Sequence, residues 1–472
     1  MRKKSFALTI ILVLVVSLFA GCAKPVDQSQ ADPNNQADKD VSTDVLVIGG
    51  GGAGLVSAIT AAQNGAKVVL VEKMPAVGGN TIISATGMTA SDTQLHKDSG
   101  ITFTVEDHYK KTIETGKGLA DEKLVRILVD NSSDAYDWLV SLGMSFKIKS
   151  PEEPFWILPT EGHYGAQLVN AILAEAGKYE NLEIKVNSKA TDLVVEEGKV
   201  IGAKIEGQDG EYVVKANAVV MATGGLHNAP EMIAEYNPNY KGLHTEMTTP
   251  GATGDGIKMA LAVGAKLTDI EYFQMRPLSS NGNWYKEVIV SEEGKGGILV
   301  NKDAERFVDE TMKPWDLASE ILKQKDGIAY IIFDEDVYNT KDGKKAFEKG
   351  KGVKADTIED LAAQLGLDTA KLKASVDGYN AGEDPFNRKT MGKVTVGPFY
   401  GVKTLPSSHY TMGGIAINEN AQVIDEEGNA IEGLYAAGEV IGGLYGAGRV
   451  AGNNTLDDIV FGKIAGKNAA EK

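Results

Sequence analysis

The sequence predicts an α/β fold: a nucleotide-binding domain built on a parallel sheet, into which a separate α+β domain is inserted. Three observations predict it. A short apolar strand at 44–48 runs into a glycine-rich turn and then into a helical pattern that ends near residue 64. A second strand at 67–71 ends on Glu72. A further strand with a glycine turn lies at 433–439, so we assign both ends of the chain to one domain.

The first turn has the spacing Gly49-x-Gly51-x-x-Gly54. In a dinucleotide cradle the first glycine permits the tight turn, the second lets the backbone approach a pyrophosphate, and the third lets the helix pack closely on the strand. The helix from Ala53 directs its positive end at the phosphates. Glu72, 18 residues after Gly54, can accept hydrogen bonds from an adenosine ribose. A glycine-rich turn between any strand and helix is the alternative, but the complete order of elements favours nucleotide binding.

Glycines further along the chain identify the dinucleotide. A second glycine pair, Gly78 and Gly79, follows the ribose-binding acid and is more typical of FAD enzymes than of NAD dehydrogenases. At the other end, the strand at 433–437 delivers Gly438 and Glu439 to the same ligand, as in the closing FAD motif of flavoproteins. We therefore predict FAD as the cofactor. The residues expected to hold it are Gly49, Gly51, Ala53, Gly54, Glu72, Lys73, Gly78, Gly79, Asn80, Thr81, Thr223, Gly224, Asp255, Gly438, Glu439 and Asn454.

The first 22 residues have the pattern of an export signal. Basic residues at 2–4 precede an apolar run at 6–19, and two small residues precede Cys22, the only cysteine. The run is short for a membrane-spanning helix, and small residues before the cysteine are typical of a lipoprotein signal. An ordinary secretory signal or a retained anchor is the alternative. We expect an extracytoplasmic protein, lipid-anchored to the cell membrane through Cys22, with a polar tether over 23–40.

Charge and cysteine content exclude several classes of function. The formal net charge is −17 and becomes −20 without the first 22 residues, which disfavours nucleic acid as a partner. One cysteine permits no intramolecular disulfide, no iron–sulfur cluster and no Cys-x-x-Cys-His haem site. The histidines lack metal-ligand spacing, so we predict no metal site. Electrons must then pass through flavin.

The folded part is too long for one core. About 430 residues follow the tether, which is more than a single core usually holds. We predict that 41–269 and 411–472 together form a discontinuous, Rossmann-like FAD-binding domain. The intervening 270–410 form the α+β capping domain, with strands of its own at 298–301 and 329–333 and helices at 357–365 and 369–381.

Taken together, these motifs resemble the flavoprotein family of soluble fumarate reductases, flavocytochrome c and urocanate reductase, which also includes ketosteroid dehydrogenases. The resemblance covers nearly everything after the tether, including the segments 250–256, 297–301, 305–310, 409–414 and 446–454. It implies FAD between the nucleotide domain and a mobile cap. It also implies hydride transfer from flavin N5 to the β-carbon of an unsaturated carboxylate, with an acid protonating the α-carbon. We expect non-covalent FAD, because no histidine lies in the region where covalently flavinylated relatives attach it.

The resemblance places the substrate beside Arg449, which matches the family's carboxylate clamp. Enoate reduction builds negative charge on the substrate carboxylate, and a guanidinium can bind that group through two hydrogen bonds. The family's substrate-binding histidine usually follows the position of His409, and this chain has Tyr410 there. Either residue can contact the substrate.

The region of the proton donor departs from the family. Fumarate reductases carry a catalytic arginine where this chain has Trp315, with Lys313 two residues away. A fumarate-binding histidine is replaced by Arg276, while the glutamate of the proton-delivery chain is retained as Glu292. These changes argue against fumarate and favour a urocanate-, cinnamate- or other acrylate-like acid, since Trp315 offers a flat aromatic wall. Arg276, Tyr410 and Lys313 are the candidate proton donors.

The sequence therefore predicts an FAD-dependent oxidoreductase acting on CH–CH bonds, most similar to fumarate reductase and working in anaerobic respiration. A separate membrane-side donor, FMN- or quinol-linked, is expected to supply its electrons. Two alternatives stay open. One is a ketosteroid-type dehydrogenase running in the opposite direction, which Arg449 disfavours because a ring ketone needs no carboxylate clamp. The other is a non-catalytic flavin-binding lipoprotein.

Overall fold

A computed structural model describes residues 40–85, 87–245, 248–280, 283–284, 296–388 and 392–472. The predicted signal, nearly all of the tether and Glu292 lie outside these residues. Within them, we find no helix with the length and apolar character that a bilayer span requires.

The chain begins with the predicted order of strand, helix and strand, β1, α1 and β2. The helices are α1 (Gly52–Gln63), α2 (Gln94–Ser99), α3 (Val105–Thr115), α4 (Glu122–Asp130), α5 (Ser132–Ser141), α6 (Tyr164–Ala176), α7 (Pro230–Tyr236), α8 (Asp255–Ala262), α9 (Pro314–Leu322), α10 (Glu335–Tyr338), α11 (Lys341–Lys349), α12 (Ile358–Leu365), α13 (Thr369–Ala381) and α14 (Asn453–Ala470). The strands are β1 (Val41–Ile48), β2 (Val68–Val71), β3 (Met88–Thr89), β4 (Phe146–Ser150), β5 (Glu153–Pro159), β6 (Leu182–Lys185), β7 (Lys189–Glu196), β8 (Lys199–Gly207), β9 (Gly210–Met221), β10 (His244–Thr245), β11 (Leu267–Thr268), β12 (Phe273–Ser280), β13 (Asn283–Trp284), β14 (Ile298–Val300), β15 (Ala329–Asp334), β16 (Val353–Ala355), β17 (Phe399–Thr411), β18 (Gly414–Ile415), β19 (Gln422–Ile424) and β20 (Ala430–Ala436).

The main sheet has the parallel order β20-β9-β1-β2-β6, with β19 antiparallel at one edge and the β7–β8 hairpin attached to β9. Val45, Leu46 and Val47 of the central strand are fully buried, as expected for a parallel strand covered on both faces. Because β20 comes from the C-terminal segment and pairs with β9, the two ends of the chain complete one sheet. The predicted α/β fold class is confirmed.

A second, largely antiparallel sheet has the order β13-β12-β17-β15-β14, with β10 and β16 also paired to β17. Its strands β14 and β15 are predicted by the sequence, and so are the helices α12 and α13, whose apolar residues pack with those strands. Residues 40–472 pack as one unit, whose interior divides into one large apolar cluster around the first sheet and two smaller clusters around the second. The domain boundaries at 269/270 and 410/411 stay predictions.

Glycines let the C-terminal helix approach the first helix closely. A Cβ on Gly466 would lie 2.2 Å from the backbone oxygen of Ser57, and one on Gly462 would lie 3.0 Å from that of Ala53. Helix α14 can therefore pack directly against α1. This packing brings the first turns of α14 to the N-terminal end of α1, where the glycine-rich turn lies.

Candidate active site

The turn between β1 and α1 has the geometry of a dinucleotide cradle. Gly49 has a φ of +109°, and a Cβ there would lie 2.2 Å from the carbonyl oxygen of Ala222. A Cβ on Gly54 would lie 1.9 Å from the carbonyl oxygen of Gly49, so only glycine permits this approach. Gly51 faces open space. Two of the glycines thus shape the turn, and the third leaves room for a ligand.

The acid at the end of β2 is held in a fixed orientation. The Glu72 carboxylate accepts hydrogen bonds from the backbone amides of Gly50 and Met74, both at 2.7 Å. Beside it, the Lys73 ammonium lies 2.7 Å from the Asp255 carboxylate. Burial raises the pKa of Asp255, but Lys73 outweighs that effect and lowers it overall. Both acids are therefore oriented as hydrogen-bond acceptors.

One cavity of about 560 Å³ extends from the cradle to Arg449. Gly54, Gly78 and Gly438 do not line it and instead pack against its walls. The other predicted cofactor residues do line it: Gly49, Gly51, Ala53, Glu72, Lys73, Gly79, Asn80, Thr81, Thr223, Gly224, Asp255, Glu439 and Asn454.

The residues of this cavity fit FAD. Buried polar atoms at its wall have no hydrogen-bond partner among the described residues, namely Thr223 Oγ1, Gln274 Oε1, His409 Nδ1 and Arg449 Nε. A buried polar atom left unpaired costs about 1–3 kcal/mol, so these atoms favour a polar ligand. The cradle and the unpaired polar atoms of the same cavity match a dinucleotide with a polar ring system.

A buried network behind the cavity wall includes a histidine that sequence reasoning missed. His227 is fully buried, and its Nε2 lies 3.0 Å from Glu439 Oε1 and 3.3 Å from Asn80 Nδ2. Glu439 Oε1 also accepts a hydrogen bond from the Thr411 amide at 2.8 Å. The sequence gives His227 no metal-ligand spacing that would mark it as functional. Its place just after the β9 strand end, where ligands of parallel sheets bind, was the available signal.

Arg449 lines the cavity, and part of its guanidinium has no partner among the described residues. The side chain is 8% exposed, and its Nη1 donates to Asn454 Oδ1 at 2.6 Å and to the Val450 carbonyl at 3.2 Å. The guanidinium carbon lies 4.3 Å from the centre of the Tyr410 ring. These contacts orient the group while Nε has no partner among the described residues.

His409 and Tyr410 both line the cavity and are both buried. Burial, followed by the positive charges of Arg276 and Arg449, lowers the pKa of His409 well below its usual value. Burial raises the pKa of Tyr410 well above its usual value, and the acids Asp457 and Glu439 add to that effect. At neutral pH the site therefore presents a neutral imidazole and a protonated phenol.

Strand β12 and helix α9 form the other wall. Gln274 and Arg276 from β12 and Trp315 from the start of α9 line the cavity. Lys313 does not, and its side chain is exposed, with the ammonium 5.7 Å from the Trp315 ring centre. Trp156 of β5 also lines the cavity, and the sequence analysis did not select it. The structure thus brings Arg276 into the cavity and leaves Lys313 outside.

Two consecutive acids on α14, Asp457 and Asp458, were also missed. Asp457 is fully buried, and Asp458 is partly buried where it lines the cavity beside Thr81. Burial raises the pKa of Asp457 well above its usual value, with the charge of Asp458 adding to the effect. A pair of buried acids is hard to find by sequence, since the same pattern occurs on exposed helix surfaces.

Comparison with known proteins agrees with the site. The model of the FAD binding domain family matches residues 44–455. The chain is 37% identical over 460 residues to a probable fumarate reductase of Shewanella frigidimarina, covering 94% of this chain and 78% of that protein. It is 35% identical over 471 residues to the urocanate reductase of Eggerthella lenta, covering 92% and 76%. The open conformation of a flavocytochrome c3 fumarate reductase superposes with a TM-score of 0.83 at 37% identity, covering 92% of this chain and 79% of that one. The predicted family, cofactor and enzyme class are confirmed.

Proposed function

The chain belongs to the flavoprotein family that carries this FAD-binding domain and includes fumarate and urocanate reductases, and we propose that it reduces the C=C bond of an α,β-unsaturated carboxylate other than fumarate. The observation that carries the proposal is Arg449. Its buried guanidinium lines the same cavity as the FAD cradle, and its Nε has no hydrogen-bond partner among the described residues.

The side chains around Arg449 suit such a reduction. Bound FAD supplies the hydride. Arg449 binds the substrate carboxylate and stabilises the negative charge that grows on it in the transition state. Arg276 adds a second positive charge to the same cavity. Because His409 is neutral, it can donate or accept a hydrogen bond there without adding charge.

Tyr410 and Arg276 are the two groups proposed to protonate the α-carbon. Both line the cavity, and Tyr410 stays protonated at neutral pH because its pKa is raised. An enolate-like centre is basic enough to take a proton from such a weak acid, so a high pKa is compatible with the role. Lys313 has less support because its side chain is exposed.

The substrate is proposed to carry an aromatic or otherwise flat group. Trp315 lines the cavity where the resemblance expects an arginine, and Trp156 lines it as well. Flat aromatic surfaces bind rings through stacking, and the tryptophan replaces the catalytic arginine that the family's fumarate reductases use on a dicarboxylate. Urocanate-, cinnamate- or other aryl acrylate-like acids meet both conditions.

The proposal is tested by anaerobic oxidation of reduced methyl viologen by FAD-loaded protein, with fumarate, urocanate, cinnamates, acrylate, methacrylate and itaconate as acceptors. We expect turnover with a non-fumarate enoate, and we expect Arg449→Ala to abolish it. Arg126→Ala is the matched control, since Arg126 also stacks on a tyrosine, 3.7 Å above the Tyr109 ring, but lies outside the cavity. Rapid fumarate reduction would refute the substrate assignment. No turnover with any acid would favour a dehydrogenase or a non-catalytic flavoprotein.

The protein is also proposed to be extracytoplasmic, lipid-anchored through Cys22, and supplied with electrons by a separate FMN- or quinol-linked donor in anaerobic respiration. The basic, apolar and small-residue pattern before Cys22 supports the anchor. Expression with radiolabelled palmitate tests it. Label and membrane association should both be lost in Cys22→Ala, and unlabelled wild-type protein would contradict the anchor.

A further inference from the structure

Asp458 projects from α14 onto the phosphate-binding end of α1. Its Oδ2 accepts a hydrogen bond from Thr81 Oγ1 at 3.0 Å, and the same hydroxyl accepts one from the Gly52 amide at 3.0 Å. A Cβ on Gly52 would lie 2.4 Å from Asp458 Oδ2, so the carboxyl group lies directly against the first turn of the helix. The first turn of α1 contains no acid of its own. Asp458 therefore supplies a carboxyl group there from a different element.

That position competes electrostatically with a dinucleotide. The N-terminal end of α1 carries the partial positive charge and free amides that attract a pyrophosphate. The Ala53 amide already faces Asp458, and its hydrogen bond favours the charged form of the carboxyl group. A negative Asp458 would weaken the attraction of this helix end for a second anion, whereas a protonated Asp458 would leave it intact.

We propose that Asp458 controls how tightly this chain holds FAD, so that the cofactor is retained when the carboxyl group is protonated and released more readily when it is ionised. The inference concerns binding of the cofactor and does not depend on which acid the enzyme reduces.

The protonation state of Asp458 changes near neutral pH. Burial raises its pKa to about 7, although the Thr81 hydroxyl and Ala53 amide act in the opposite direction. Negative charge from Glu439 raises this pKa further, and positive charge from Arg449 lowers it. Asp458 also interacts electrostatically with ionisable groups from the elements around it. They are Asp457 on its own helix, Glu439, Tyr445 and Arg449 between β20 and α14, Tyr410 on β17 and Tyr164 on α6.

Among these groups, Asp458 has a pKa of about 7, which lies within the range of pH 6.0 to 8.5. Burial raises the pKa of Asp457, and it raises the pKa values of the three tyrosines above their usual range. If bound FAD keeps Asp458 protonated, linkage makes the Kd rise up to about 30-fold between pH 6.0 and 8.5. The change arises above pH 7, where ionisation of the free protein competes with binding.

The experiment measures FAD affinity by flavin fluorescence quenching of the apoprotein across this pH range, together with FAD release from diluted holoprotein. Wild type should show the rise in Kd. Asp458→Asn keeps the shape and the Thr81 contact but cannot ionise, so its Kd should vary less than about threefold and be lower than that of wild type at pH 8.5. Asp457→Asn is the matched control, since it removes a neighbouring buried acid that does not line the cavity, and its pH profile should follow wild type.

Three results would overturn the proposal. One is a wild-type Kd that does not change with pH. A second is an equal pH dependence in Asp458→Asn, which would assign the titration to another group. The third is uniformly weaker binding by Asp458→Asn at every pH, which would mean that Asp458 only supports the structure. If the apoprotein does not refold, the rate at which FAD is released from the holoprotein gives the same comparison between wild type and the two variants.

Discussion

A buried histidine makes the stability of this fold depend on pH in a direction that the structure specifies. His108 of α3 is fully buried, with Nε2 2.9 Å from Asn453 Oδ1 and Nδ1 3.3 Å from Ser91 Oγ. Burial lowers its pKa from 6.5 to about 4, although the Asn453 contact acts in the opposite direction. Asn453 is the first residue of α14. His108 therefore supports the helix end that faces the cofactor cavity.

The sign and size of the effect follow from proton linkage. Between pH 6.5 and 4 the unfolded chain binds a proton at this histidine and the folded protein does not, so the stability is complete above 6.5 and falls as pH falls. Lowering the pH from 7 to 5 should remove about 2 kcal/mol through His108 alone. Buried acids such as Asp458 contribute with the opposite sign, so wild type must be compared with a variant.

The assay is urea unfolding of wild type, His108→Gln and His163→Gln at pH 7 and pH 5, followed by intrinsic fluorescence. Glutamine retains hydrogen bonding toward Asn453 without titrating, so His108→Gln should lose about 2 kcal/mol less than wild type over this interval. His163 is exposed, and its variant should follow wild type. Equal losses in wild type and His108→Gln would refute the reasoning.

Three further predictions concern single contacts. Arg449→Lys should fold normally but lower kcat/KM for the accepted enoate about 100-fold in steady-state kinetics. The reason is that an ammonium cannot bind a carboxylate through two parallel hydrogen bonds. Gly466→Ala should lower the free energy of unfolding by about 1–3 kcal/mol and weaken FAD binding, since its Cβ would meet the Ser57 carbonyl. Gly177→Ala is the control, because a Cβ there would make only ordinary contacts, and it should leave the melting temperature unchanged in a thermal melt. Glu310→Gln should lower the free energy of unfolding in urea by about 3–5 kcal/mol, because it removes the buried carboxylate that pairs with two arginines at 3.0 and 3.1 Å. A loss of unfolding free energy below about 1 kcal/mol would contradict that role.

Local pattern was sufficient for the cradle and for several elements. The glycine spacing after β1 and the acid after β2 follow rules that act within about 30 residues, and the structure places Gly49, Gly54 and Glu72 as those rules require. Helix α13 begins and ends where the sequence predicts, since apolar periodicity and flanking residues define it. The family resemblance added Arg449, whose surroundings of small residues alone would not have indicated a ligand.

The sequence could not predict in the same way which residues, distant along the chain, meet at the cavity. Trp156 lines the cavity and His227 contacts Glu439 in its wall, although long stretches of sequence separate both from the cradle. Lys313 and Trp315 are two residues apart, yet the start of α9 turns the tryptophan into the cavity and leaves the lysine exposed. Spacing in sequence does not specify the direction of a side chain where a loop becomes a helix.

The sequence by itself determined the parallel fold, the FAD cradle and the class of chemistry, because short glycine and strand patterns constrain backbone geometry locally. Only the tertiary structure decided which side chains share the cavity, and that Asp458 lies against α1. Its carboxyl group is brought there by glycines on α14 that permit close helix packing. Burial and neighbouring charges, which depend on the whole fold, then set its protonation state.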